Sequence, residues 1–532
     1  MQQKTEHLSN QLGAGISRRH FLMGATAMGL AAPALSLSGR AMAATAKKGG
    51  RLRLGCTGGA TSDTLDPALI LDIYMNQVSF GQLRNCLTEI AADGSLSAEL
   101  AESWEPSPDA KVWTLKLRKG VEFHNGKSLT AQDVIASLNH HRGKDTKSAA
   151  KDIVKPIVDM KADGDGVVVV TLAEGNADFA YLLSDARLGI CPATPEGGID
   201  WKSGIGTGGY VLESFDPGLR TVTKRNPNYW KEGRAHFDEV ETLFIADVVA
   251  RTNALRSGEI DAMNKVDLKT VGLLKRAPGV VVFAGESSQH VSLPMHANTA
   301  PFDNNDVRLA LKYAIDREKW LSAIMKGYGK IANDFPIGPA NRYYATADEI
   351  PQRTYDLEKA KFHLKKAGHN SLEVQLHVAE TAFAGATDGA QLYQEEARAA
   401  GINIEVVREP EDGYWSNVWL KKPWCASFWA GRPTEDWMFT QVYSAGASWN
   451  ESMWDNERFN KLLVSARSEL DETKRRDMYV EMQRILHDEG STVIPLFGSY
   501  VQAVSDKIQL PEVIGNNLEF DGGKCAERWS FA

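Results

Sequence analysis

The 532-residue sequence predicts an α/β protein, and two features of its residue pattern indicate this class. Apolar and polar residues alternate in several short runs, as they do in half-buried strands. Helix-like and strand-like runs alternate along the second half, which is typical of crossover units on a mainly parallel sheet. The 43% hydrophobic and 8% aromatic content is ordinary for packed globular domains. The length leaves room for two or three domains.

Residues 1–43 are predicted to be an export signal. A twin-arginine pattern at residues 17–22 opens an apolar run that ends at Leu37, and Ala41-Met42-Ala43 is a small-residue cleavage site. The run is short and rich in alanine and glycine, which favours a removed signal over a membrane anchor. Cleavage at Ala44-Thr45-Ala46 is a second option. We therefore expect a mature protein in the periplasm, exported by the twin-arginine route.

The charge and the cysteines limit the remaining classes. The formal net charge is −8, and residues 1–43 carry +3, which leaves −11 for the mature chain. An acidic body disfavours nucleic acid or anionic lipid as a partner. The sequence leaves open whether the cysteines pair or stay buried free thiols, because they are odd in number and not closely spaced. They are Cys56, Cys86, Cys191, Cys425 and Cys525.

In the first half, the clearest local pattern lies between residues 100 and 138. Trp113, Leu115 and Leu117 alternate with polar residues and predict a strand at 112–118. Turns at Gly120 and at Asn125-Gly126 flank a short strand, and Thr130 with Asp133 forms a capping pair that begins a helix. Other predicted elements are a helix at 74–87 and strands at 51–56, 167–172 and 210–215.

The second half alternates more regularly. Asp356 is placed to cap a helix that ends before Gly368. The further predicted elements are a strand at 372–378, a helix at 389–400, a strand at 402–407, charged helices at 457–470 and 473–488, and an extended apolar segment at 492–497.

Residues 100–138 closely resemble the signature of the family 5 solute-binding proteins of ABC importers, the peptide- and nickel-binding type. Further blocks resemble that family in the same order along the chain, and in one of them Gly209 stands where proline is usual. These blocks are Thr64-Leu65-Asp66-Pro67, Gly206-Thr207-Gly208-Gly209-Tyr210, Arg225-Asn226-Pro227-Asn228-Tyr229-Trp230, Pro301-Phe302-Asp303, Val307-Arg308-Leu309-Ala310-Leu311 and Ala314-Ile315-Asp316-Arg317.

The resemblance implies a two-lobed periplasmic binding protein fold of type II with a ligand cleft between the lobes. The first lobe would comprise residues 44–291 and take back residues 495–532, and the second would comprise residues 292–494. Two strands would cross between them. The protein would bind a small organic ligand as a monomer and deliver it to a membrane permease driven by an ATPase. An exported enzyme and a chemoreceptor-linked ligand sensor are the alternatives on the same fold.

A search for catalytic, cofactor and metal motifs yields little. Gly204, Gly206 and Gly209 match G-x-G-x-x-G, but a strand follows where a dinucleotide site needs a helix. His140 and His141 are adjacent on a predicted helix and therefore lie on different faces, which makes a poor metal site. We expect no catalytic residue, no cofactor and no metal.

Residues 414–454 contain seven of the 13 tryptophans and a polar loop at 430–436. Peptide-binding relatives carry there an aspartate that pairs with the ammonium group of the ligand, whereas this chain has Arg432. Two interpretations stay open: Arg432 binds a carboxylate or similar anion of a peptide-like or other ligand, or it pairs with Glu435 or Asp436 within the loop. The other predicted cleft residues are Ser62, Asp72, Tyr74, His290, Trp415, Trp429, Gly431, Asp436, Trp449 and Asn450.

Overall fold

The computed structural model of the protein describes residues 47–532. The predicted export signal and both of its cleavage sites lie outside the described residues. Within them, no helix is long and apolar enough to cross a membrane. All five cysteines fall in this part of the chain and are buried free thiols.

A large mixed sheet of ten strands organises the structure. Most of its strands pair antiparallel, whereas Arg51–Cys56 pairs parallel with Glu239–Phe244 and Ala262–Met263. Along the sheet the strands are Ser427–Trp429, Val280–Pro294, Leu496–Ser505, Ala262–Met263, Arg51–Cys56, Glu239–Phe244, Arg220–Arg225 and Tyr210–Asp216, with Gly329–Ile331 and Thr492–Val493 pairing beside this path. The parallel arrangement predicted for the second half occurs in a separate pair, Leu372–Val378 with Ile402–Arg408.

Four smaller sheets and the helices make up the rest of the regular structure in residues 47–532. One sheet has the order Ala101–Pro106, Val112–Leu117, Val167–Leu172 and Ile157–Ala162, and short pairs join Thr88–Ile90 to Leu96–Ala98 and Ile508–Gln509 to Ser530–Phe531. The longer helices are Ala131–His140, Val248–Ser257, Asn305–Tyr313, Leu357–Lys366, Ala386–Arg398, Glu457–Ser468 and Glu472–Glu489. The shorter helices are Ile73–Val78, Lys151–Val154, Phe179–Leu182, Val271–Leu274, Arg317–Ala323, Tyr414–Asn417, Glu435–Met438, Glu519–Gly522 and Cys525–Arg528.

Two long strands of the large sheet connect separate hydrophobic cores. Val280–Pro294 and Leu496–Ser505 pair antiparallel from Val280 opposite Ser505 to His290 opposite Phe497, with an irregular register after Glu286. Val501 and Ala503 pack in a core with residues 254–274. Val291, Leu293 and Leu496 pack in another with residues 302–426. The pair therefore belongs to both cores, while the lobe boundaries at 291 and 495 stay a prediction.

Local sequence signals are confirmed where the interacting residues lie close together in the sequence. The Asp133 carboxylate accepts hydrogen bonds from the Thr130 amide at 2.9 Å and from its hydroxyl at 2.7 Å, and the helix Ala131–His140 follows. Val112–Leu117 is a strand, as its alternation predicts. The helix predicted at 74–87 is wrong in length, because Ile73–Val78 passes into a π-helical turn that ends at Leu83. The short strand predicted after Gly120 is reduced to one bridge between Glu122 and Ser128.

A buried network of charges ties the C-terminal segment to the first part of the chain. The Lys231 ammonium group lies 2.5 Å from Glu89, 2.8 Å from Glu99 and 3.1 Å from Glu527. Burial alone would lower the pKa of Lys231, but these three carboxylates raise it well above its ordinary value. Arg528 adds an ion pair with Glu89 at 2.5 Å. Lys524 lies 3.4 Å from Glu99, so three cations together neutralise acids that come from both ends of the described chain.

Replacing Lys231 with methionine should destabilise the fold strongly. The change leaves the three buried carboxylates with two cations, Arg528 and Lys524, and breaking a buried pair in this way costs about 3–5 kcal/mol. Urea unfolding followed by circular dichroism measures the loss. The matched control is Lys461→Met, which removes an exposed pair with Glu457 and should change stability by less than about 0.5 kcal/mol. Equal midpoints for the two variants would contradict the role given to Lys231.

Candidate functional site

The loop at residues 430–436 is held at one edge of the large sheet. Its preceding strand, Ser427–Trp429, pairs with Val280–Pro294, so that Trp429 opposes His290 and Ser427 opposes Ser292. The loop ends where the Thr434 side chain caps the short helix Glu435–Met438. Regular structure therefore anchors this loop at both ends, as it does in binding loops on rigid scaffolds.

Arg432 is half-buried in this loop between aromatic rings. Its Nε donates to Gln441 Oε1 at 2.8 Å, and its Nη1 donates to the Ala430 carbonyl oxygen at 3.0 Å. The guanidinium carbon lies 5.6 Å from the ring centroid of Trp429 and 5.9 Å from that of Trp437. Within residues 47–532 its Nη2 has no hydrogen-bond acceptor, so one edge of the planar group has donors to spare.

The environment lowers the pKa of Arg432, but the side chain stays positively charged. Burial lowers the pKa of Arg432 to about 10, and the Arg187 guanidinium lowers it further while the Asp185 carboxylate opposes this. At neutral pH the side chain is therefore still a cation. A half-buried cation with unused hydrogen-bond donors is well suited to bind an anion, because charge-assisted hydrogen bonds are stronger where water is partly excluded.

The acids of the loop do not neutralise Arg432, so the alternative that it pairs with Glu435 or Asp436 is wrong. Glu435 accepts a hydrogen bond from the Tyr343 amide at 2.8 Å. Asp436 pairs with Arg467 at 3.1 Å. The Asp436 carboxylate, which the sequence predicts to contact the ligand, is thus engaged inside the protein.

Four tryptophans form a connected group beside one buried carboxylate, and they are Trp415, Trp419, Trp429 and Trp449. Ring centroids lie 5.8–6.3 Å apart from pair to pair, and Trp415 and Trp449 are each 41% exposed. The indole groups of Trp419 and Trp429 both donate to Glu451, at 2.6 Å and 2.9 Å. Sequence reasoning missed Glu451. The available signal was that it is the one acidic residue between positions 437 and 454.

Three other candidates already use their polar groups within the protein. The Tyr74 side chain is buried, and its hydroxyl lies 2.9 Å from Thr221 Oγ1. Asp72 caps the helix Ile73–Val78 by accepting from the Met75 amide at 2.9 Å, and burial raises the pKa of Asp72 to about 6. The Asn450 amide donates to the Trp454 carbonyl oxygen at 2.7 Å. None of the three is hydrogen-bonded to Arg432 or to the four tryptophans of the connected group.

The remaining candidates differ in their surroundings. Ser62 is exposed, and Gly431 lies so close to Ser288 that an added Cβ would sit 2.9 Å from its side chain. The His290 imidazole is buried, and its Nε2 has no hydrogen-bond partner in the described chain. Burial, together with Arg432, lowers the pKa of His290 to about 4, although the Ser288 carbonyl opposes this. His290 is thus neutral at pH 7.

The adjacent histidines are separately engaged. His140 Nε2 lies 2.7 Å from Asp66 Oδ1, and His141 Nδ1 lies 2.7 Å from Ser148 Oγ. Across residues 47–532, no group of three or more histidine, cysteine or acidic side chains is arranged to hold a metal ion.

A buried ion pair joins two segments that are distant in the sequence. Arg475, on the helix Glu472–Glu489, lies 2.6 Å from Asp178, and both side chains are almost fully buried. Burial alone would lower the pKa of Arg475, but the Asp178 carboxylate raises it above its ordinary value. The neighbouring Ala177 amide donates to the Arg467 carbonyl oxygen at 2.7 Å. Residues 177–178 therefore dock against the elements that follow the Arg432 loop.

Two hydrophobic cores thus share a pair of long strands, and a cationic loop lies at one edge of the large sheet. The profile of the bacterial extracellular solute-binding proteins, family 5 (middle region), matches residues 95–451, and the chain belongs to this family. It is a solute-binding protein of the kind that serves ABC importers.

Similar proteins span nearly the whole chain. Heme-binding protein A of Haemophilus influenzae is 26% identical over 462 residues, which cover 80% of this chain and 83% of the relative. The glutathione-binding protein GsiB of Escherichia coli is 26% identical over 464 residues, covering 82% and 85%. The structure of the ABC transporter substrate-binding protein CtaP of Listeria monocytogenes superposes with a TM-score of 0.79 at 20% identity, covering 91% of this chain and all of that one.

Replacing Glu435 with glutamine should make stability less dependent on pH. Burial and the nearby Asp178 carboxylate raise the pKa of Glu435 to about 7, although its bond from the Tyr343 amide opposes this. A carboxyl group that binds its proton more tightly when folded loses stability as pH rises from about 4.5 to about 7. The variant should match the wild type at pH 4 and exceed it by up to about 3 kcal/mol at pH 8.

Urea unfolding at a series of pH values measures this difference, and the exposed Glu457→Gln serves as control. Parallel stability curves for wild type and Glu435→Gln between pH 4 and pH 8 would contradict the assignment.

Proposed function

We propose that the protein captures a small organic anion, peptide-like or otherwise carboxylate-bearing, in the periplasm. Arg432 carries this proposal, because it is a half-buried cation with unused donors on a loop fixed to the large sheet. The ligand binds reversibly and undergoes no covalent chemistry. It is then passed to a membrane permease and its ATPase. The mature monomer arises by twin-arginine export and removal of residues 1–43.

The ligand specificity follows from the charge that the loop presents. Where peptide-binding relatives carry an aspartate for the ligand's ammonium group, Arg432 presents a planar fork that suits a carboxylate. The tryptophans beside it supply apolar surface for the uncharged part of the ligand.

Binding is proposed to close two lobes, residues 44–291 with 495–532 and residues 292–494. The two long strands that belong to both cores act as the hinge. The buried pair of Asp178 with Arg475 then links the two lobes in the closed form. A ligand favours that form only through contacts that the open form lacks.

Replacing Arg432 with alanine should weaken ligand binding roughly tenfold or more, because a charge-assisted hydrogen bond contributes about 1.5–3 kcal/mol. The ligand for this test is the compound that mass spectrometry finds with the purified protein or that a thermal-shift screen of metabolites selects. Isothermal titration calorimetry measures the affinity. Arg398→Ala, which removes an exposed arginine paired with Glu395, is the matched control. Unchanged affinity in Arg432→Ala, or chemical alteration of the ligand, would refute the proposal.

Replacing Asp178 with asparagine should shift the protein toward an open form. The substitution leaves the Arg475 charge buried without its carboxylate when the lobes are closed, at a cost of about 3–5 kcal/mol, whereas water solvates it when they are open. Small-angle scattering should give a larger radius of gyration than that of the wild type. Asp159→Asn, which loses only an exposed pair with Lys161, should leave the scattering curve unchanged. Superimposable curves for Asp178→Asn and wild type would argue against closure by this pair.

A further inference from the structure

Glu451 is a buried carboxylate in an unusual setting. It is 2% exposed, and the four groups that donate to it are all neutral. Burial raises the pKa of Glu451, although the four donors oppose this. Burying a carboxylate without a cation is costly for stability. Its retention inside an aromatic cluster therefore needs an explanation beyond packing.

The four hydrogen bonds at Glu451 are divided equally between its two carboxylate oxygens. Oε1 accepts from the Trp429 indole at 2.9 Å and from the Ser292 hydroxyl at 2.9 Å. Oε2 accepts from the Trp419 indole at 2.6 Å and from the Ser427 hydroxyl at 2.9 Å. Each oxygen thus serves one indole and one hydroxyl. Because an indole can only donate, both ends of the side chain must be acceptors, which a carboxylate provides and an amide does not.

These bonds fix the aromatic ring that supports the anion-binding arginine. The N–H edge of Trp429 is held by Glu451, and its face lies 5.6 Å from the guanidinium carbon of Arg432. Trp429 also contacts Trp419 and Trp449 through their rings. Rotation of the Trp429 indole would break its bond to Glu451 and withdraw the surface beneath Arg432. Hydrogen bonds to Gln441 and Ala430 hold one edge of the Arg432 guanidinium, and the surface beneath it depends on Glu451, a residue that Arg432 does not touch.

We propose that Glu451 is a positioning residue of the anion site, which sets the plane of Trp429 and through it the direction of the Arg432 guanidinium. The inference rests on the proposed function of Arg432 as the anion-binding group. Glu451 itself does not touch the ligand. Its substitution should therefore loosen Arg432 in the absence of any ligand.

The test compares Glu451→Gln with the double variant Glu451→Gln, Trp419→Phe. Glutamine has an acceptor at one end only, so in the single variant its NH₂ group faces one of the two indole N–H groups. Removing the Trp419 N–H lets the glutamine carbonyl turn to Trp429 and the NH₂ group turn to Ser427. The second substitution should therefore restore what the first one disrupts. A role in packing alone predicts the reverse, because a second core substitution would add to the damage.

The readout is the Arg432 Nε proton in spectra of ¹⁵N-arginine-labelled, ligand-free protein, assigned by its absence in Arg432→Ala. We expect its exchange with solvent to accelerate roughly tenfold in Glu451→Gln, because the Nε–H bond to Gln441 opens more often once the Trp429 surface beneath the guanidinium is no longer held. The rate should return close to that of the wild type in the double variant. An unchanged rate in a folded Glu451→Gln, or no recovery in the double variant, would overturn the proposal. Neither outcome depends on a ligand, so the proposed function is tested separately.

A second pair of variants covers the case in which Glu451→Gln does not fold. Trp429→Phe keeps an aromatic face but loses the N–H bond to Glu451, whereas Trp104→Phe alters a ring on the strand Ala101–Pro106, which packs against a separate core and makes no bond to this carboxylate. Exchange at Arg432 should accelerate in Trp429→Phe and stay at the wild-type rate in Trp104→Phe. Equal exchange rates in these two variants would also overturn the proposal.

Discussion

The antiparallel pairing of Val280–Pro294 with Leu496–Ser505 is the interaction on which the rest of the structure depends. It joins segments more than 200 residues apart and places them in two hydrophobic cores at once. His290 has Phe497 as its partner on one side and Trp429 on the other. The strand that leads into the Arg432 loop is therefore hydrogen-bonded to the strand that links the cores. A change in the relative position of the cores would act directly on the loop.

Several buried charges of the scaffold are paired with an opposite charge, whereas two charges of the site are not. Asp334 lies 2.7 Å from Arg317 and 2.9 Å from Arg353, and Lys231 is surrounded by carboxylates. Arg432 and Glu451 differ, since the first has no carboxylate partner in the described chain and the second has no cation. Trp429 stands between them, with its N–H edge toward Glu451 and its face toward Arg432. The hydrogen bond to the Glu451 carboxylate polarises the Trp429 indole. This polarisation strengthens the attraction between the ring face and the Arg432 cation.

Much of the local structure could be predicted, and much of the site could not. Thr130 and Asp133 form their capping box because both partners lie within four residues of each other. Asp356 begins the helix Leu357–Lys366 for the same reason. Glu451 could not be found in this way. Its donors come from positions 292, 419, 427 and 429, and the pairing of two strands brings three of them together. The hydrogen bond between Tyr74 and Thr221 could not be predicted either, because Thr221 lies on a distant strand.

By itself, the sequence determined the α/β class, most element positions, the family and the presence of an arginine in a tryptophan-rich loop. These properties depend on periodicity, capping and ordered motifs, all of which act over short separations. Only the tertiary structure decided that Glu435 and Asp436 have other partners and that Arg432 keeps unused donors. It also decided that a buried glutamate holds the indoles in place. The physical reason is that hydrogen-bond satisfaction and burial are properties of residues brought together from distant segments.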